Sequence, residues 1–379
     1  MLLVMQEKSL HIVSFDTPFP PKYGGAIEVF YKIKALHEIG CKIYLHCFVN
    51  SIPTENSELE SLVSELYFYK NNYNPLYLFS KVPFSVISRN DKKLLKNLQK
   101  NDAPILFEGL KTAYLSEDKS LKNSLKILRL HNLEQDYFLG ISKSENNWIK
   151  KSLYFIESKK YQIHEKKLKT FNRVLALSKF ENEYVNQNFG NSSYVPVFHG
   201  NETVEITEGF GKYAFYHGDL KTSDNRKVAK YLIEIFKEIK DYKLVIASGS
   251  NEKFIQKNIG NATNIEFVYL ENFEKLKQLL RDAHINVILS FQKSGTKLKL
   301  VNSLFRSRFC IINENIMDDE MVSKFCVKID SKEELISKIN FLKTQSYTES
   351  ENKKVVLEKY LNDKVNAQKI AAILEDLKS

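Results

Sequence analysis

Short apolar runs alternate along the chain with longer stretches in which apolar residues recur every three to four positions. The run from Leu10 to Phe15 predicts a buried strand. It ends in a polar, proline-rich loop, Asp16 to Gly25. Val29, Phe30, Ile33, Leu36 and Ile39 then mark one face of a helix from about Ala26 to Ile39, stopped by Gly40. Lys42 to Val49 is the next strand, so the chain opens as strand, helix, strand. Residues 51–100 alternate polar helical pieces with aromatic-rich ones. Further strands are expected at Ile105 to Phe107, Leu125 to Leu130, Val174 to Leu177 and Tyr194 to Val197. Between them the pattern predicts one long amphipathic helix from Asn147 to Phe171, and a helix from Lys179 capped by Ser178.

Residues 198–210 are polar and aperiodic, which marks a linker. A second series follows: strand Tyr213 to His217, helix from Asp224 to Lys240, strand Lys243 to Ser248, helix near Glu252, strand Ile265 to Tyr269 and helix Phe273 to Ala283. An apolar run Ile285 to Leu289 leads through a Gly-containing turn into a helix marked by Leu298, Leu300, Val301, Leu304 and Phe305. Strands at Phe309 to Ile312 and Cys326 to Ile329, a capping-box start at Ser331 and two terminal helices over Glu351 to Leu377 complete it. The expected fold is two successive α/β domains, each a doubly wound parallel sheet with helices on both faces. The expected spans are 1–200 and 208–348, with terminal helices over 349–379 that have the option of packing back on the first domain. A cleft between such domains is the default ligand site.

Composition narrows this only a little. In 379 residues, hydrophobic content of 43% and charge of 27% belong to a soluble globular protein. No apolar run reaches the ~20 residues of a membrane span, and the opening MLLVM is too short for a signal-peptide core, so a cytoplasmic location is expected. Cys41, Cys47, Cys310 and Cys326 stand in apolar stretches without CxxC pairing and read as reduced and structural. The net charge of +10 fits nucleic acid, an anionic membrane face or anionic small molecules. No nucleic-acid motif is present, so the last two remain. The basic helix 147–171 suggests a solvated face, or peripheral contact with an anionic membrane or glycolipid.

Candidate chemistry gathers at strand ends. Gly24 and Gly25 follow the first strand, where ligands bind open parallel sheets. His131, Asn132 and Glu134 crowd the end of Leu125 to Leu130; a histidine there is either a structural hydrogen-bonder or a group facing the cleft, and the polar residues that follow favour the cleft. Ser294, Gly295, Thr296, Lys297 and Lys299 form a helix start flanked by lysines, which reads either as a phosphate or diphosphate site or as an ordinary strand–helix turn with solvated lysines. Asp318, Asp319 and Glu320 read as an exposed loop rather than a metal signature.

In their order along the chain, PFPPKYGGAIEV, LRLHNLE, ALSKFENEYV, YHGDLKTSDN and SGTKLKLVNSLF resemble the segments of retaining GT-B glycosyltransferases, and most of all bacterial mannosyltransferases of surface glycan or glycoprotein assembly. The resemblance implies a GT-B fold, two Rossmann-like domains facing a cleft. It implies transfer of a mannose-like hexose from a nucleotide-diphosphate sugar, with GDP-mannose a candidate donor, to a glycan, lipid-linked or protein-linked acceptor, without nucleic acid. By position, Gly24 and Gly25 would approach the donor diphosphate and His131 the hexose, with Asn132 and Glu134 on the acceptor side. Gly218 would lie near the diphosphate. Two family carboxylates are here Ser294 and Asn302, and the basic pair after the second domain's first strand is replaced by Asp219 and Asn225. Lys297 and Lys299, and more weakly Lys221, would supply the positive charge, and no metal or other cofactor is expected. The alternative is a non-catalytic basic protein of the same shape that binds anionic membrane or glycan.

Overall fold

The computed structural model describes residues 8–145, 147–205, 208–292 and 298–378. The chain divides into two compact units. The first takes residues up to Ser142, Trp148–Gly200 and everything from Leu361 on; the second takes Lys143–Asn147 and Asn201–Tyr360.

The N-terminal unit is built on seven parallel strands: β1 Ser9–Ser14, β2 Lys42–Val49, β3 Glu65–Lys70, β4 Ile105–Glu108, β5 Lys126–Leu130, β6 Arg173–Ala176 and β7 Ser192–Tyr194, in the order β3-β2-β1-β4-β5-β6-β7. The order reverses at β1, so the carboxyl ends of β1 and β4 open where crossovers leave in opposite directions. One face of the sheet packs Leu10, Ile12, Leu106 and Leu175 against helix Gly24–Glu38 and the last helix, Asp363–Asp376, which inserts Ala367, Ile370 and Leu374. The other face packs Val13, Phe107, Leu128 and Val174 against Leu110, Tyr161 and Val185.

The C-terminal unit has six parallel strands: β8 Tyr213–His217, β9 Leu244–Ser248, β10 Ile265–Tyr269, β11 Ala283–Ile288, β12 Phe309–Ile312 and β13 Val327–Lys328, in the order β10-β9-β8-β11-β12-β13. Ile246, Val287 and Ile311 meet Val228, Leu232 and Phe236 of helix Ser223–Glu238. Phe215, Val245 and Leu280 form the opposite layer. Ser331 caps helix Lys332–Leu342 by accepting from the Glu334 N–H at 3.1 Å.

Several expectations change. Strand β3 stands in the stretch read only as mixed aromatic pieces. Helix 147–171 is an α-helix Trp148–His164 followed by a tighter 3-10 segment, Glu165–Thr170. The first residues of the expected linker belong to the N-terminal core, where Phe198 is fully buried. Asp319 is also buried. It caps helix Glu320–Ser323 and accepts from the Tyr360 hydroxyl at 2.5 Å, so it is no exposed loop residue.

Candidate functional site

In the N-terminal unit, parallel pairing sets Glu108, the last residue of β4, beside Arg129 of β5. Side chains alternate along a strand, so His131 falls on the same face as Arg129. Helix Gly24–Glu38 covers that face and turns Glu28 and Lys32, one helical turn apart, into it. The result is a fully enclosed ionic cluster. Lys32 Nζ lies 2.8 Å from Glu28 Oε2 and 2.8 Å from Glu108 Oε1. Arg129 Nε donates to Glu28 Oε1 at 2.9 Å, and its two Nη groups donate to the carbonyls of Val195 at 2.7 Å and Pro196 at 2.9 Å. Two carboxylates and two fixed cations balance. Burial pushes the Glu28 carboxyl up, but Lys32, Arg129 and His131 outweigh it and hold the group at about 2.

His131 caps this cluster. Its Nε2 lies 2.8 Å from Glu108 Oε2. A carboxylate only accepts, so Nε2 carries the proton and Nδ1 is the atom left for another partner. The Phe15 ring packs edge-on to the imidazole at 5.3 Å between centroids, and Lys111 Nζ sits 3.8 Å from the centroid of the same Phe15 ring. Burial lowers the Lys111 pKa, against the pull of Glu134. Glu134 begins helix Glu134–Ser144 and is buried, with Asn132 half-buried beside it.

Gly24 and Gly25 do not form a turn. They are the first two residues of helix Gly24–Glu38, whose start at Tyr23 has no side-chain cap. Neither has positive φ, so conformational freedom is not their use. Close approach is: a Cβ on Gly25 would stand 2.8 Å from Phe15 Cζ.

In the C-terminal unit, β8 ends at His217, Gly218 follows, and helix Ser223–Glu238 starts five residues after Gly218, again with no side-chain cap. Its free N–H groups are directed at the carboxyl end of the sheet. Lys299, in the first turn of helix Leu298–Arg306, reaches the same place. Its Nζ is 3.2 Å from Asn225 Oδ1, 3.4 Å from the Leu289 carbonyl and 5.1 Å over the Tyr216 ring. Asn225 Nδ2 donates to the Asp219 carbonyl at 2.9 Å, and a Cβ on Gly218 would meet the Asn225 side chain at 2.9 Å. Gly218, Asn225 and Lys299 are therefore brought together. Burial, with the Lys299 charge adding to it, lowers the neighbouring His217 to about 3.

Other expected members are placed differently. Asn302 is buried, and its Oδ1 accepts from Asn201 Nδ2 at 3.0 Å; Asn201 in turn accepts from Arg306. Lys221 donates its backbone N–H to Asp219 Oδ1 at 3.0 Å and its side chain is exposed. Ser294, Gly295, Thr296 and Lys297 lie outside the described residues.

Sequence reading missed Glu28, Lys32, Glu108, Lys111 and Arg129, and also Asp224. The Asp224 carboxylate ties the helix start to the end of β11 by accepting from Ser290 Oγ at 2.8 Å and the Phe291 N–H at 2.9 Å. An arginine inside the apolar LRLH strand, and a Glu/Lys pair flanking an apolar helix face, were the available signals.

Among the described residues, Glu28, Glu108 and His131 are the group close enough to share a cation. Lys32 and Arg129 already neutralise both carboxylates there, so the donor set is filled and does not fit a metal. No described helix is long and apolar enough to cross a membrane.

No family model matches the chain. A Klebsiella pneumoniae protein described as an uncharacterized 44.6 kDa protein in the cps region is 23% identical over 320 residues, covering 79% of this chain and 81% of that protein. Solved structures match it nearly end to end. Sucrose-phosphate synthase from Thermosynechococcus elongatus superimposes with a TM-score of 0.68 at 13% identity, over 98% of this chain and 99% of the other. HepE from Anabaena, in complex with UDP-glucose, gives 0.65 at 11% identity, over 97% and 99%. TarM gives 0.63 at 11% identity, over 98% of each chain. The two-sheet architecture is GT-B.

Proposed function

We propose that this chain is a glycosyltransferase that moves a hexose from a nucleoside-diphosphate sugar to an acceptor hydroxyl. The observation that carries the reading is the convergence of Lys299, Gly218 and an uncapped helix start at the carboxyl end of β8. That is chemistry for a diphosphate. In the reaction the bond from the anomeric carbon to the diphosphate oxygen breaks, with its electron pair leaving on phosphate. The acceptor oxygen forms the new bond to the anomeric carbon, and its proton passes to the departing diphosphate oxygen. Lys299 and the helix N–H groups stabilise the departing charge, so the reading needs no metal. His131 contacts the hexose through Nδ1, positioned by Glu108. Asn225 joins Lys299 on the donor side, and the sequence resemblance alone adds Gly24, Gly25 and Asn302 there, with Asn132 and Glu134 at the acceptor.

Retention of configuration and a mannose-like sugar belong to this reading through the sequence resemblance. HepE in complex with UDP-glucose supports a nucleotide-sugar donor and makes UDP the first nucleotide to compare with GDP. The acceptor is a glycan, lipid-linked or protein-linked, in surface glycan synthesis.

The test is turnover of UDP-glucose and GDP-mannose with and without chelator, beside melting temperatures with UDP and GDP. Transfer that survives chelation is expected, and Lys299→Ala should lower kcat about a hundredfold. No turnover, no stabilisation by either nucleotide and stabilisation by polyanions alone would establish a non-catalytic binder instead.

A further inference from the structure

Helix Trp148–His164 is inverted relative to an ordinary surface helix. The residues it buries are Ser158, Tyr161 and His164. The residues it turns outward include Trp148, 75% exposed, Ile163, 68% exposed, and the half-exposed Phe155 and Ile156. Burying apolar surface is what normally orients such a helix, so an outward apolar face stands in for a partner.

The face continues onto a second element. The 3-10 segment Pro75–Phe79 buries none of its residues, and Leu76 and Phe79 are 70% and 88% exposed. Lys160 Nζ ties the two elements together by donating to the Leu78 carbonyl at 2.9 Å, and Glu157 accepts at 2.8 Å from the N–H of Phe84, five residues beyond the segment. A rigid helix and a protruding aromatic tip thus share one surface.

Charge decides what covers it. The helix carries four lysines and one acid, Glu157, which Lys160 neutralises at 2.9 Å. Lys81 follows the 3-10 segment with no acid nearby in sequence. Two copies meeting through this face would set lysines against lysines. Anionic headgroups complement it, and lysine stems reach outward past buried apolar groups. We propose that this surface docks the N-terminal unit on an anionic lipid bilayer, with Trp148, Phe155, Ile163 and Phe79 entering the interface and Lys81, Lys151 and Lys159 meeting phosphate headgroups. The proposal goes beyond glycosyl transfer, and its test uses no sugar nucleotide, so either can fail alone.

Trp148 is the chain's one tryptophan, so its emission reports directly on this face. Vesicles of phosphatidylcholine mixed with phosphatidylglycerol should shift the emission to the blue and sediment the protein. Phosphatidylcholine alone should do so weakly, and high salt should weaken both. The variant F79S/I163S alters only exposed positions and should partition about tenfold less or worse at an unchanged melting temperature. An emission unmoved by mixed vesicles overturns the proposal. So does undiminished sedimentation of F79S/I163S, and so does a blue shift that grows with protein concentration in the absence of lipid, which would mean that a second copy covers the face.

Discussion

At the scale of single residues, two positions are constrained by neighbours rather than by their own conformation. Gly25 lies under the Phe15 ring, and Phe15 is wedged against His131 and Lys111. Gly25→Ala therefore places a methyl where the ring stands, and the ring has little room to retreat. A loss of about 1–3 kcal/mol is expected by chemical denaturation, with recovery when Phe15→Leu makes space. Gly25→Ala at full stability, or no recovery in the double variant, contradicts that packing. Glu108 is the shared acceptor of Lys32 and His131. Glu108→Gln keeps the shape but leaves the buried cluster with one excess positive charge, at a cost of about 3–5 kcal/mol. Adding Lys32→Met restores neutrality and should recover most of it. If the double variant is no more stable than Glu108→Gln, the balance of charges is not what holds the cluster.

Among the elements, eleven of the thirteen strands among the described residues were readable because each is a short apolar run closed by polar residues, whereas β7, Ser192–Tyr194, shares only Tyr194 with the expected strand Tyr194 to Val197 because its sequence SSY is not apolar. Strand β3 was not readable. Its sequence ELYFYK has one buried position, as befits the edge of the sheet, and the aromatic residues around it blur the period. The start of helix Gly24–Glu38 was misplaced because glycines read as turn. The buried cluster stayed hidden for a related reason: period-based reading sends Glu28, Lys32 and Arg129 to solvent, and only tertiary pairing makes their burial tolerable. Strand-end residues such as His131 and Gly218 were legible because topology alone puts them at the carboxyl edge. Helix Asp363–Asp376 shows the opposite case, a clear helix whose destination sequence does not state. Ile370 and Ala367 are completely buried against helix Gly24–Glu38 in the N-terminal core. Ile370→Ala is thus expected to cost about 2–5 kcal/mol and to speed amide exchange in β1 and β2. Exchange there at the wild-type rate would show that the helix adds nothing to that sheet.

For the whole molecule, pH is the lever that sums these local environments. Burial lowers His11 to about 4, His164 to about 4 and His217 to about 3, and takes His46 well below its ordinary value. The His11 and His46 rings bond each other at 2.9 Å, with Asn101 and Tyr69 at the two ends, an arrangement that the two rings cannot make if both are protonated. The unfolded chain binds these protons near 6.5 and the folded chain does not, so stability is lost as pH falls from 6.5 toward 4. Glu165 works in the other direction. Burial, reinforced by Asp136 and Glu134 and opposed by the Tyr184 hydroxyl, raises it to about 7. The folded chain then holds a proton that the unfolded chain releases near 4.5, so this one group lowers stability as pH rises from 4.5 to 7. Its full effect is at most roughly 3 kcal/mol. Burial lowers His284 and raises the Asp363 carboxyl as well, so five histidines stand against two carboxyls, and the wild-type protein should be most stable near neutrality and weaken steadily below about pH 6. Glu165→Gln removes only one of the two opposing groups. Its denaturation midpoint should exceed the wild-type midpoint at pH 8, with the gap closing as pH falls to 4.5. Midpoints that run parallel across that range would mean Glu165 is ionised in the folded protein throughout, and that the cluster of Glu134, Asp136 and Tyr184 does not hold its proton.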